Sequence, residues 1–347
     1  MSQHRLAEPL LRRAPTVLSA ALRSAAAEHG VARLAFQEAG GIREASLGEI
    51  HEYARRVAAG LVALGVQPGE VVAVQLPTRI ETAIAHAAVV LCGGVLLPLC
   101  PEFTPEKTRL ILRLAGAAAL ITSVWRSHDV LRMRGLANGL PQLRQVIAVS
   151  GTWPAAAVPA DAVDWSVLSS YRPLEPVLNT RLDDMCLLAW TEGGGGTPAC
   201  IQHTHRSVWA ELTPREPGGK RRRKDVYLNT MPFGCPTAPA GLLRAMVWGT
   251  PTVFMERWQA QAALDLVHRY RATSAEGTAF HLAGLLDTAE RTGLGNGPLT
   301  DYLVGDTDLP SALAEQAARV GVSAYLLSHV AHEESAETTG TVADRDE

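Results

Sequence analysis

The chain has 347 residues, of which 47% are hydrophobic and 19% are charged. This length and composition are typical of a soluble globular protein with enough apolar residues for two packed units. Its 32 basic and 35 acidic residues give a net charge of -3, which excludes recruitment to nucleic acid or to an anionic membrane by overall charge.

The first half of the chain alternates between helical and strand patterns. Residues 47–65 carry apolar side chains at three- and four-residue steps and end at a glycine, which predicts an amphipathic helix. Strand, helix, strand, helix and strand patterns follow over residues 70–77, 79–93, 95–99, 105–116 and 118–123. Such alternation predicts right-handed crossovers and a largely parallel sheet. The apolar run 83–99 contains Gly93 and Pro98, so it indicates helix, turn and strand rather than a membrane span.

A second unit is predicted after the Pro/Ala-rich residues 152–165, which have the composition of a surface connection. Beyond them, strand patterns fall at residues 185–191, 225–233, 251–255 and 323–328, and helical patterns at residues 262–272 and 311–321. We therefore expect one α/β domain over residues 1–180 and another over residues 181–335. The polar and acidic residues 336–347 are expected to form a disordered tail.

The most distinctive stretch is residues 187–209, where an apolar run breaks into four glycines and then resumes in a helix-like pattern. Glycine loops of this kind bind phosphate, because small backbone amides can close around an anion. A glycine-rich loop is a weak motif by itself, and a plain connection between a strand and a helix explains the same residues equally well.

Residues 45–121 and 183–208 resemble the adenylate-forming acyl-CoA synthetases and adenylation domains. The nucleotide loop of that family has the form Thr-Ser-Gly-Thr-Thr-Gly-x-Pro-Lys-Gly, followed by a Thr-His pair. The residues that match this pattern are Thr191, Gly193, Gly196, Pro198, Thr204 and His205. The resemblance implies an α/β fold with two doubly wound α/β subdomains, lacking the family's β-barrel and C-terminal lid domain.

Residues 227–287 are similar to the acyl-binding half of those enzymes, and residues 299–317 to the stretch around their Gly-Gly-Ala-Pro-Leu-Pro motif. The resemblance implies an acyl pocket near His205, Cys235, Gly277 and Gly305. Where the family has Tyr-Gly-x-Thr-Glu, this chain matches only at Glu333. The family counterpart of Glu333 holds Mg²⁺, which makes this residue the candidate catalytic and metal-binding group. A solvated glutamate is the alternative, because one carboxylate without bound phosphate is a poor magnesium site.

The nucleotide loop departs from the family pattern in its charges. Glu192 stands in place of serine and Ala199 in place of lysine, so the loop is two charge units less positive than the pattern. At about 4 Å, one unit of charge is worth about 4 kcal/mol at an intermediate dielectric and about 1 kcal/mol in water. A millimolar ligand binds with only about 4 kcal/mol, so weak ATP binding is expected. The degenerate loop consists of Thr191, Glu192, Gly193, Gly194, Gly195, Gly196, Thr197 and Ala199.

The sequence leaves three functions open. The first is a degenerate AMP-binding, acyl-CoA-synthetase-like protein that binds an acyl ligand or a partner and cannot adenylate a carboxylate alone. The second is an active ATP-dependent acyl or aryl acid ligase whose lid is supplied by a partner chain. The third is an acyltransfer enzyme that uses Cys200 or Cys235 as its nucleophile, although isolated cysteines are usually small buried apolar residues. The cofactors implied by the resemblance are Mg-ATP or AMP and coenzyme A.

Local features set the expected partners and location. The basic residues 220–224 suit an acidic carrier protein or the phosphates of coenzyme A, and a solvated loop is the alternative. No aromatic residues interleave with them, so no nucleic acid is expected. We expect a homo-oligomer or a complex, because the loss of a barrel and lid exposes apolar surface. The five cysteines form no CxxC pair and no signal peptide is recognised, which indicates a cytoplasmic protein.

Overall fold

The computed structural model describes residues 14–124, 139–150, 162–175, 179–192, 198–212, 225–234, 238–305 and 308–326. The strands in these ranges are β1 (Arg33–Glu38), β2 (Gly41–Ser46), β3 (Val71–Gln75), β4 (Val95–Pro98), β5 (Ala119–Ser123), β6 (Gln145–Val149), β7 (Val163–Asp164), β8 (Met185–Glu192), β9 (Pro198–Thr204), β10 (Tyr227–Asn229), β11 (Thr252–Met255), β12 (Ser274–Gly277), β13 (Asp301–Val304) and β14 (Ser323–Leu326). The helices are α1 (Leu18–His29), α2 (Leu47–Ala63), α3 (Ile80–Leu91), α4 (Pro105–Leu114), α5 (Trp165–Ser169), α6 (His205–Leu212), α7 (Ala238–Trp248), α8 (Ala260–Tyr270), α9 (Ala279–Thr292) and α10 (Ser311–Arg319).

The described strands form two seven-stranded sheets. The first sheet has the order β7-β6-β5-β3-β4-β8-β9 and the second has the order β14-β13-β12-β10-β11-β1-β2. Neighbouring strands are parallel except in the edge pairs β1–β2 and β8–β9. The strand order reverses at β3 in one sheet and at β10 in the other, which confirms the predicted doubly wound α/β fold. Both sheets are open, so the strands in the described ranges form no barrel.

The two sheets exchange strands relative to chain order. The early strand β1 joins the second sheet, where Leu34 pairs with Thr252 of β11. The later strand β8 joins the first sheet, where Leu187 pairs with Leu96 of β4. Each sheet therefore takes strands from both sides of residue 180, and the expected domain boundary there stays a prediction. The apolar pattern of a strand shows that it is buried and does not show which sheet it enters.

A shared layer of helices lies between the sheets. The largest buried cluster combines α1, α2, α3 and α7 with apolar side chains from both sheets, including Phe36 and Phe254 of the second and Ile121 of the first. Phe36 and Phe254 stack with their ring centroids 5.3 Å apart. A second cluster packs α8 and α9 on the outer face of the second sheet, and a third packs α4 on the outer face of the first. Both sheets are therefore covered on both faces, as their continuous apolar strands require.

Helix caps explain where two important helices begin. Ser46 and Glu49 form a capping box at the start of α2, with the Ser46 hydroxyl accepting from the backbone N–H of Glu49. The hydroxyl of Thr278 accepts a hydrogen bond of 3.2 Å from the backbone N–H of His281, which fixes the first turn of α9. The apolar run 83–99 folds as the end of α3, a turn and β4, as predicted. None of the described helices has the length and apolar character needed to cross a membrane.

Candidate functional site

The strand order of the second sheet places a topological switch point at the carboxyl ends of β10 and β12. Strand β10 lies between β11 and β12, so the chain leaves it toward one side and later returns to the other. Open α/β sheets bind ligands outside the carboxyl ends of their strands at such a switch point. Thr230 directly follows β10 and Gly277 ends β12, so both lie at this switch point.

Two of the predicted pocket residues meet at the switch point. The backbone N–H of Gly305 donates a hydrogen bond of 2.9 Å to the carbonyl of Gly277. A Cβ atom at Gly277 would collide with the Thr230 hydroxyl and the Tyr302 hydroxyl, so glycine is required for these side chains to approach the strand. Tyr302 is fully buried, and this burial raises the pKa of its phenol.

His281 presents a neutral imidazole beside Gly277. Its Nδ1 lies 2.8 Å from the Thr230 hydroxyl oxygen, and its ring stacks on Trp258 with the centroids 4.3 Å apart. The Thr230 hydroxyl also lies 3.0 Å from the carbonyl oxygen of Glu276. With the Thr230 proton assigned to that carbonyl, Nδ1 is the protonated nitrogen of the ring. Burial lowers the pKa of His281 to about 4, so the ring is uncharged at neutral pH.

The opposite face of the same strands carries a buried ion pair. Nη2 of Arg244 in α7 lies 2.5 Å from Oε2 of Glu276 in β12. The Arg244 side chain is 20% exposed and the Glu276 side chain is 7% exposed. Asn229 packs beside them, and a Cβ atom at Gly241 would lie 2.5 Å from its side-chain nitrogen. A cavity of about 30 Å³ adjoins the pair and is lined by Tyr227, Asn229, Gly241, Arg244, Ala245, Thr250, Thr252 and Glu276.

The glycine loop connects two antiparallel strands at the edge of the first sheet. Thr191 pairs with Ala199 and Glu192 pairs with Pro198, so the backbones of Glu192 and Ala199 lie near each other at the ends of these two strands. The expectation of a helix-like resumption after the glycines was wrong, because residues 198–204 form β9 and the helix begins only at His205. Backbone pairing with β8 decides this conformation, and local sequence does not reveal it. Residues 193–197 lie outside the described residues.

His205 is not among the residues that meet at the switch point, and its hydrogen-bond partner comes from α1. It begins α6, is 3% exposed, and its Nδ1 accepts a hydrogen bond of 3.2 Å from the backbone N–H of Leu18. Burial lowers the pKa of His205. This contact joins α1 to the start of α6.

Cys200 and His203 lie on opposite faces of β9, because side chains three residues apart in a strand alternate in direction. Partial burial raises the pKa of the Cys200 thiol to about 11, which keeps it protonated at neutral pH. Nδ1 of His203 lies 3.7 Å from a carboxylate oxygen of Glu211. The other candidate nucleophile, Cys235, lies outside the described residues, as do Glu333 and the basic residues 220–224.

Sequence reasoning missed Thr230, His281 and the Arg244–Glu276 pair. A usable signal was present for His281, because Thr278 precedes an apolar helical run as an N-cap. Thr230 lies inside the strand pattern of residues 225–233, and only the observed end of β10 at Asn229 places it at the switch point. The pairing of Arg244 with Glu276 joins residues 32 positions apart and is set by the packing of α7 on β12. Within the described part of the chain, no three His, Cys, Asp or Glu side chains converge as a metal site.

Comparison with known proteins assigns the family. A family profile described as "AMP-binding enzyme" matches residues 22–330. The chain belongs to the AMP-binding enzyme family. Curated relatives of this AMP-binding protein include the medium-chain fatty-acid–CoA ligase of Escherichia coli strain K12, which is 24% identical over 265 residues, covering 76% of this chain and 46% of the relative. The salicyl-AMP ligase / salicyl-S-ArCP synthetase of Mycobacterium tuberculosis is 30% identical over 249 residues, covering 70% of this chain and 43% of the relative.

Solved structures show the same fold. The acyl-CoA synthetase of Brucella canis has a TM-score of 0.79 at 19% identity, covering 92% of this chain and 58% of that chain. The N-terminal domain of FACL13 from Mycobacterium tuberculosis has a TM-score of 0.76 at 20% identity, covering 89% of this chain and 74% of that domain. The AMP-binding chain thus spans less than half of the length of the two curated relatives named above.

Proposed function

We propose that this chain is an acid-binding member of the AMP-binding family whose glycine loop holds nucleotide phosphates too weakly for the chain alone to adenylate a carboxylate. The observation that carries this proposal is the chemistry of the loop. Glu192 ends β8 and Ala199 lies in β9, so an acidic residue and an alanine stand at the two ends of the glycine loop where the family pattern has a serine and a lysine.

The donor set of this loop does not fit the phosphates of Mg-ATP. Glycine amides donate neutral hydrogen bonds, which are roughly half as strong as those from a charged donor. A carboxylate beside phosphate adds repulsion, which is worth about 1 kcal/mol in water and about 4 kcal/mol at an intermediate dielectric. Positively charged groups set in place before the reaction usually make the largest catalytic contribution to reactions of this kind. The proposal therefore assigns no adenylation step to these residues.

The acid-binding part of the proposal rests on the switch point of the second sheet. The hydroxyls of Thr230 and Tyr302 pack directly against Gly277, and His281 places an uncharged ring beside them. The printed names of the relatives refer to a medium-chain fatty acid and to salicylate, so medium-chain and aryl acids are the first candidates. Coenzyme A, AMP and an acidic carrier protein remain further candidate ligands, together with assembly into a homo-oligomer or a complex with a partner.

Two assays on the purified chain test the proposal together. ATP–pyrophosphate exchange is measured with a panel of medium-chain and aryl acids, and thermal unfolding is measured with the same acids. We expect no exchange above a blank and a raised thermal midpoint with at least one acid, because a ligand that binds only the folded state stabilises it by mass action. Exchange by the unmodified chain would establish an ATP-dependent acid ligase instead. Absence of stabilisation by every acid would overturn acid binding.

A further inference from the structure

A small polar cavity lies between α7 and the second sheet, on the face turned away from the switch point. Its lining includes Tyr227 and Thr252 at one level of the sheet and Asn229 and Glu276 at another, and these residues form register pairs. Residues two apart in a strand face the same side and are separated by about 7 Å, so the cavity runs roughly that far along the strands. The site is therefore separate from any ligand at the switch point.

Thr250 places a buried hydroxyl at the amino end of this cavity. The residue is 5% exposed, and its hydroxyl oxygen has no hydrogen-bond partner among the described residues. Its backbone is satisfied, because its N–H donates a hydrogen bond of 3.1 Å to the Ala245 carbonyl and its own carbonyl accepts one of 2.9 Å from the Thr252 hydroxyl. Buried polar groups in folded proteins are nearly always paired with protein or with ordered water. An ordered water molecule is therefore the expected partner of the Thr250 hydroxyl.

The carboxyl end of the cavity offers further donors and acceptors without net charge. Nη2 of Arg244 donates a hydrogen bond of 2.5 Å to Oε2 of Glu276. A guanidinium has five N–H donors and a carboxylate has two acceptor oxygens, so both partners can bind a further polar group. Oδ1 of Asn229 accepts a hydrogen bond of 2.9 Å from the backbone N–H of Met231, which leaves the side-chain nitrogen of Asn229 as a donor. This lining favours a neutral molecule that both donates and accepts hydrogen bonds.

The size of the cavity limits what enters it. A cavity needs about 10–15 Å³ on this measure to hold one water molecule. At about 30 Å³, the space accepts roughly two molecules of water size. An apolar chain end would displace water from the polar lining without replacing its hydrogen bonds, which is unfavourable.

We propose that this cavity is an internal hydration site that holds two ordered water molecules, one bound to the Thr250 hydroxyl and the other at the Arg244–Glu276 pair. The waters complete hydrogen bonds that the side chains leave open on this face of the sheet. They also make the space beneath α7 unfavourable for apolar groups. The inference does not depend on the proposed function, because it concerns the face away from the switch point.

A crystal structure of the full chain, at a resolution that shows ordered water, tests the inference directly. We expect two water molecules in the cavity, one of them about 3 Å from Oγ1 of Thr250. An empty cavity, or a cavity occupied by a molecule other than water, would overturn the inference.

The substitution Thr250→Val provides a second test, because valine keeps the shape of the side chain and removes the hydroxyl. If water pairs with the hydroxyl, the substitution removes a satisfied hydrogen bond, and the thermal midpoint should fall by about 2 °C. An unpaired buried hydroxyl would be unfavourable in the folded state, so a midpoint that stays constant or rises would overturn the inference.

The control for this test is Thr292→Val. The Thr292 hydroxyl donates a hydrogen bond of 2.7 Å to the Thr288 carbonyl within α9, outside the cavity. Crystals of the control should keep both waters, whereas crystals of Thr250→Val should lack the water beside residue 250. Retention of both waters in Thr250→Val would overturn the assignment of a water molecule to the Thr250 hydroxyl.

Discussion

The backbone N–H of Leu18 donates a hydrogen bond of 3.2 Å to Nδ1 of His205, across 187 positions of the sequence. Leu18 is the first residue of α1, and the preceding Val17 offers no side-chain acceptor for the free N–H groups of that helix end. His205 therefore acts as the cap of α1 from a distant element. Only an imidazole with a free lone pair on Nδ1 can accept this bond.

Acidification should weaken the folded state through His205. Burial lowers its folded pKa below the unfolded value of about 6.5, so the unfolded chain binds more protons between the two values. The stabilising contribution is complete above about pH 6.5 and is lost as the pH falls toward the folded pKa. Urea unfolding of the native chain and of His205→Asn, in which the amide oxygen replaces Nδ1, should show a steeper loss on acidification for the native chain. Equal slopes would contradict this role.

His205→Ala should cost about 1 kcal/mol of unfolding free energy at neutral pH, the usual effect of removing a helix cap. The loss should appear as increased hydrogen exchange in α1 as well as in the global urea midpoint. The matched variant His205→Asn should retain most of the stability. If both variants unfold at the same urea concentration as the native chain, the cap contributes nothing.

Gly277→Ala should destabilise the second sheet. The new methyl group would meet the hydroxyls of Thr230 and Tyr302, and overpacking of this kind costs about 1–3 kcal/mol. Gly40→Ala is the control, because a Cβ atom at Gly40 meets nothing within 4 Å. Thermal unfolding should separate the two variants clearly. A Gly277→Ala protein as stable as the control would show that the switch point has more space than these contacts indicate.

Much of the fold follows from the sequence, because the apolar periods of α2, α3 and α4 and the continuous apolar strands between them each have a local cause. Sheet membership does not follow, since β1 joins the second sheet through pairing with a strand more than 200 residues later. Strand β9 was missed for the same reason, because its pairing with β8 overrides the helix-like local pattern. At the site, Gly277 and Gly305 were predicted together, whereas His281 and the Arg244–Glu276 pair depend on contacts that only the packed structure defines.

Cys200 should behave as an ordinary protonated thiol. Its pKa is raised to about 11, so its alkylation by iodoacetamide, followed at this residue by mass spectrometry, should keep accelerating up to about pH 10. Cys200→Ser should leave acid binding unchanged. A rate that is already constant above pH 7 would instead reveal an activated thiolate and would favour acyl transfer by this cysteine.

The glycine loop, residues 191–199, carries no basic residue, and isothermal titration of Mg-ATP tests the consequence of this most directly. The native chain should bind Mg-ATP no more tightly than millimolar. The double variant Glu192→Ser and Ala199→Lys restores two charge units, which should recover about 2 kcal/mol or roughly 30-fold in affinity. Ala199→Gln, which adds length without charge, should recover little. Micromolar binding of Mg-ATP by the unmodified chain would contradict the account and favour the ATP-dependent ligase whose lid comes from a partner chain.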